Sequence, residues 1–154
     1  METTDYCDYE LAKKLNACGF DEPCDHYYTH EDAPDGAVWL TGDPRTPRNY
    51  NGQQDGCPFA KPICSAPTSW QAHKWLREKK GIAINVIAHD GGKYSHEHVV
   101  YLPNYDESAT RWGIWHINHT PLFDTYEEAL SDGIAEILGL LVGKESEKVI
   151  TKNE

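Results

Sequence analysis

The sequence predicts an α+β fold: a small antiparallel three-stranded meander with helices packed on one face, plus a long irregular loop over residues 20–66. Three observations carry this. Two Thr-x-x-Gln/Glu capping boxes open stretches of helical period, at Thr68–Gln71 and Thr125–Glu128. The apolar run Ile82–Ala88 and the stretch Lys93–Leu102 flank Asp90-Gly91-Gly92, a hairpin turn signal. Between Phe20 and Ala66, by contrast, prolines and the glycines at 36, 42, 52 and 56 interrupt any sustained period.

In chain order, the first helix is expected over 5–18, where Cys7, Leu11, Leu15 and Cys18 share one face and Gly19 follows as a stop. The loop 20–66 carries Tyr27, Tyr28, Trp39, Tyr50 and Phe59, too many aromatics for a plain disordered linker. It is expected to wrap over the core, with a short strand near Ala37–Thr41. The second helix, 69–80, buries Ala72, Trp75 and Leu76, with the Lys79 stem extending that stripe, and ends at Gly81. Strands are expected at 82–89, 93–102 and 111–118. The last helix, 125–142, has a stripe of Tyr126, Ala129, Leu130, Gly133, Ile134, Ile137, Leu138 and Leu141, and Gly143 stops it. Residues 1–143 read as one domain and 144–154 as a charged tail.

The formal net charge is −11. Such a surface argues against general binding to nucleic-acid backbones, which requires many cationic contacts, and suits a basic protein partner. The longest apolar runs fall short of a membrane span, and METTDYCDYE lacks the order of a secretory signal. A cytoplasmic protein with five reduced cysteines and no disulfide is the expectation.

ELAKKLNACGFDEPC, SAPTSWQAHKWLREKKGI and FDTYEEALSDGIAEIL together resemble a family of small proteins encoded by bacteriophages and mobile elements of gut bacteria. The resemblance implies a phage accessory protein acting in the host bacterial cytoplasm. It brings no activity and no site residues with it.

Candidate chemistry falls into three groups. His73, Lys74, Arg77 and Lys80 form a basic helix face which, with Arg111 and Trp112, is expected to bind a small anionic, nucleotide-like molecule without transforming it. In a phage setting this would sequester a host defence signal, in a protein expected to be a homo-oligomer. Secondly, His96 and His98 point the same way from one strand and His116 lies on the next, the pattern of a transition-metal site or of a solvated outer face. A zinc clasp from Cys24, His26, Cys57 and Cys64 is the weaker metal candidate, because the spacing matches no paired Cys-x2-Cys knuckle. Thirdly, Asp124, Glu127, Glu128, Asp132 and Glu136 on the last helix would serve an acidic inhibitor or adaptor of a basic host protein. The sequence shows no nucleophile elbow, phosphate loop, dinucleotide fingerprint or His-Glu-x-x-His, so catalysis has no support beyond a metal-dependent enzyme built on the strand histidines.

Overall fold

The computed structural model describes residues 5–30, 34–51, 61–100, 113–115 and 121–151. The element order is α1 (Tyr9–Ala17), β1 (His26–Thr29), β2 (Trp39–Gly42), β3 (Pro62–Ser65), α2 (Ser69–Trp75, continued by a π turn at Leu76–Lys80), β4 (Ile82–His89), β5 (Lys93–Val100), β6 (Gly113–Trp115) and α3 (Tyr126–Thr151). This is an α+β fold with two antiparallel sheets, ordered β2-β1-β3 and β4-β5-β6. Contacts group the chain into two compact units, Met1–Thr68 with Leu138–Glu154, and Ser69–Ile137. No helix among the described residues is long and apolar enough to cross a membrane.

In the first unit, α1 starts at Tyr9 because the Asp8 carboxylate accepts from the Leu11 backbone N–H at 2.8 Å. The predicted apolar face of Cys7, Leu11, Leu15 and Cys18 is buried. Gly19 takes a positive φ of 86° just past the helix, the left-handed turn that glycine makes without strain. Beyond it the structure departs from an irregular loop over 20–66: this stretch contributes a whole sheet. β1 is its central strand, with Tyr27 opposite Thr41 on one side and Ser65 on the other. Ala12, Tyr28, Cys64 and Ala66 form a core cluster on which Tyr9, Val38 and Leu40 pack. Tyr28 donates to the Cys7 carbonyl at 2.7 Å, and Asn51 ties the Phe20 carbonyl to the Ser65 N–H at 2.9 and 2.8 Å. Each strand has only four residues, and β1 is buried from Tyr27 through Thr29, so no alternation marks it in the sequence.

The second unit follows the predicted order. α2 runs into its π turn and stops at Gly81, whose φ of 65° is left-handed. β4 and β5 pair from Ile82↔Val100 to His89↔Lys93 around the Asp90-Gly91-Gly92 turn, and β6 pairs with β5 through Val99↔Ile114. Thr125 and Glu128 form the reciprocal capping box, Oγ1 accepting from the Glu128 N–H at 3.1 Å while the Glu128 carboxylate accepts from the Thr125 N–H at 3.3 Å. Ala129, Leu130, Ile134 and Ile137 of α3 are buried. The helix does not stop at Gly143 but continues to Thr151. Lys144 to Lys148 are mostly strong helix formers, which offset a single glycine at a cost of about 1 kcal/mol.

Candidate metal centre

Side chains two apart on a strand share a face, so Tyr94, His96 and His98 of β5 all look the same way. In the described structure that face is covered by α3 and the segment leading into it. Tyr94 meets Tyr126 edge-on with ring centroids 6.3 Å apart, and Phe123 stacks on His96 at 6.1 Å. The solvated outer face is therefore the wrong reading of these histidines: His96 and His98 are 3% and 1% exposed.

Gly133 makes the approach. A Cβ at this position would lie 2.8 Å from Ile84 Cγ2 and 3.2 Å from His96 Cγ, so only glycine lets α3 lie this close to the ring. Asp132 and Glu136, four residues apart and so on one flank of the helix, bring two carboxylates to the imidazoles. His96 Nε2 lies 2.8 Å from Asp132 Oδ2 and 3.8 Å from Glu136 Oε2, and His98 Nε2 lies 4.0 Å from Glu136 Oε2. The two rings stack at 5.1 Å.

His98 Nε2 is buried with no hydrogen-bond partner. With the proton of the neutral ring on Nδ1, Nε2 presents a lone pair 4.0 Å from the Glu136 carboxylate. Burial and the neighbouring His96 push the His98 pKa down to about 4, so the ring is neutral at physiological pH. A neutral imidazole with a buried, unpartnered nitrogen is one that can ligate a metal. Donor atoms of His96, His98 and Glu136 all lie within 4.8 Å of one another, and among the described residues this is the one such group of three. Tetrahedral ligands at the usual zinc distances sit about 3.4 Å apart, so the two imidazole–carboxylate spacings of 3.8 and 4.0 Å exceed that by about half an ångström.

The remaining predicted site residues are placed differently. His73 does not belong to the exposed basic face. It is 6% exposed, and its Nε2 accepts from the Ile84 backbone N–H at 3.1 Å. The buried arc of α2 is wider than its central stripe and runs from Trp75 through Leu76 to His73. Burial, then the charge of Arg77, lowers the His73 pKa. Lys74 and Arg77 are exposed, with Lys74 Nζ 4.0 Å from Glu78, and Lys80 Nζ sits 5.3 Å over the Trp75 ring. Lys79 is exposed rather than part of the apolar stripe, because the π turn winds fewer degrees per residue and carries it off that line.

Arg111, Trp112 and His116 lie outside the described residues, as does Cys57 of the cysteine clasp. Cys7, Cys18, Cys24 and Cys64 are buried and form no disulfide, and burial pushes the Cys24 thiol up to about 12 and the Cys64 thiol up to about 11. Asp132 and Glu136 read in the sequence as part of a general acidic surface.

No protein-family model, curated protein or solved structure matches the chain.

Proposed function

We propose that this is a metal-binding protein that holds one divalent first-row transition ion, zinc foremost, through His96, His98 and Glu136. The carrying observation is the buried, unpartnered His98 Nε2, 4.0 Å from the Glu136 carboxylate. A buried acceptor without a donor costs about 1–3 kcal/mol, which a bound cation would turn into a gain. Two imidazoles and a carboxylate suit zinc and its neighbours better than calcium or magnesium, which take oxygen. The test is calorimetric titration of metal-free protein with zinc at pH 7.5. One equivalent should bind, and Glu136→Gln and His98→Ala should each weaken binding by at least about tenfold. No binding, or binding indifferent to both substitutions, would sink the reading.

A second reading keeps the outer face of α2, where Lys74 and Arg77 are both exposed, as a site for a small phosphate-bearing anion. It fits a phage accessory role in which such a molecule is sequestered. An Arg fork grips phosphate in a way an ammonium cannot, so Arg77→Lys should weaken nucleotide binding by about 1–2 kcal/mol. Titration of a cyclic and linear nucleotide panel checks this, and equal binding by the variant removes the face from consideration.

A further inference from the structure

β4 is an edge strand, paired with β5 on one side only. In an antiparallel ladder, successive residues send their N–H and C=O groups alternately toward the neighbouring strand and away from it. The Ile84 N–H goes to His73 Nε2 at 3.1 Å, so it points away from β5, and Val86 and Ala88 must present theirs to the same outer side. His73 therefore plugs the edge at Ile84. Beyond it, among the described residues, no strand or side chain takes up the outward groups of Val86 and Ala88.

Sheet edges are ordinarily guarded by shortness, proline, bulges or charge. β2 and β3 have four residues each, and β3 opens with Pro62 and pairs with a register shift. β4 has none of these guards. It runs for eight residues in unbroken register and carries no charged side chain from Ile82 to Ala88. Ile87 pairs with Ser95, so it lies off the face of Tyr94, His96 and His98 that meets α3, and it is 39% exposed.

We infer that a second copy of the chain docks on this edge, β4 pairing antiparallel with β4 across a two-fold axis at Ile87 and joining the β4-β5-β6 sheets of two copies into one. The plug sets the register. With Ile87 facing its own copy, Val86 of each chain exchanges both hydrogen bonds with Ala88 of the other, and Asn85 faces His89. The second copy's strand then ends at its Asp90 turn, just where His73 fills the edge. Charge selects the occupant. A chain of net charge −11 repels its own copies over most of its surface, and here it offers itself an uncharged strand. Lys79 and Lys80 precede that strand and Asp90 follows it, so antiparallel pairing sets the basic end of one copy toward the acidic end of the other. The two exposed isoleucines cover each other. None of this needs a metal, because the histidine rings of β5 face α3 from the other side of the sheet.

The experiment measures the mass of the full chain by sedimentation equilibrium over a concentration series, and cross-linking reads the register. Wild type should approach twice the chain mass as concentration rises, with or without zinc. Ile87→Lys should stay at the single-chain mass over the same range, because like charges directly opposite on paired strands repel. In a Cys57→Ser background, whose remaining cysteines are buried, Ile87→Cys should give a disulfide-linked dimer on mild oxidation. Opposed residues of a non-hydrogen-bonded pair lie about 4.5 Å apart at Cα, within disulfide reach. Asn85→Cys, which faces His89 and not itself, should not cross-link. A wild type that stays at single-chain mass, or a folded Ile87→Lys protein that dimerises like wild type, overturns the inference. Should Ile87→Lys fail to fold, the two cysteine variants decide alone. Cross-linking at Asn85→Cys as readily as at Ile87→Cys, or none at Ile87→Cys, overturns the paired register and the part given to His73.

Discussion

The α2–β4 joint and the α3–β5 face each bury histidine, and the two settle its nitrogens in opposite ways. At the joint, His73 Nε2 accepts from the Ile84 N–H, so the proton is on Nδ1, and Nδ1 is buried without a partner. What is left over there is a donor, which no cation can use. On the α3–β5 face, His98 leaves Nε2 without a partner 4.0 Å from the Glu136 carboxylate, where a neutral ring with its proton on Nδ1 offers a lone pair. Burial alone does not mark a ligand. The surviving lone pair does, and the carboxylates beside it decide what it can hold.

The largest expected effect comes from acid. In metal-free protein His98 has a folded-state pKa of about 4 against an ordinary 6.5. A lowered histidine pKa means the unfolded chain binds more protons between those values. Stability should therefore be full above about pH 6.5, decline as pH falls, and level off near pH 4. The slope from this one group is at most about 1.4 kcal/mol per pH unit. The lowered pKa of His73 acts in the same direction. Urea unfolding across this range checks it, and His98→Gln should flatten much of the decline. A flat profile in wild type would mean neither ring is held neutral by the fold.

Next comes Gly133→Ala. The new methyl would meet Ile84 Cγ2 at 2.8 Å and the His96 ring at 3.2 Å, on the face that carries the candidate ligands. Helix propensity favours alanine by about 1 kcal/mol, but overpacking costs about 1–3 kcal/mol, so the net should be a loss. Zinc affinity should fall with it, because the helix must move away from β5. Alanine at an ordinary exposed helix glycine would stabilise, and a stabilised Gly133→Ala protein would show that the close approach is not real.

These positions also show what the sequence could convey. The capping box at Thr125 and the Asp90-Gly91-Gly92 hairpin are local chemistry, written in adjacent residues, and both are legible. The β2-β1-β3 sheet is not, since its four-residue strands lie among prolines and glycines and its central strand lacks an exposed face. The metal candidate is half legible. His96 and His98 announce a shared face by their spacing, but Asp132 and Glu136 read as surface acid because helical period cannot say which flank of a helix a sheet will meet. His73 fails for a related reason: whether it sits at the edge of the buried arc or outside it depends on how closely β4 approaches.

His73→Ala probes the other half of the contrast. It removes the acceptor for the Ile84 N–H and leaves that backbone donor buried and unpaired, at about 1–3 kcal/mol. It should leave zinc binding unchanged, since His73 offers no free lone pair. Thermal unfolding and zinc titration of the same variant separate the two effects. A large loss of zinc affinity would show that the joint and the metal candidate are one structural system, and the contrast between them would fail.

The smallest effect belongs to Lys80. Its ammonium lies 5.3 Å over the ring of the buried Trp75, at the end of the π turn that leads into Gly81 and β4. A cation over an indole face at a partly exposed position is worth about 0.5–1 kcal/mol, and the stem adds a little packing. Lys80→Met keeps the stem and removes the charge, so it should cost less than Lys80→Ala, and the difference between them isolates the packing. If Lys80 instead serves mainly as part of an anion site on α2, neither substitution should change the melting temperature, while both should weaken binding across a nucleotide panel. Differential scanning fluorimetry with and without nucleotide, on the two variants and wild type, distinguishes a lysine that holds the joint together from one that faces a ligand.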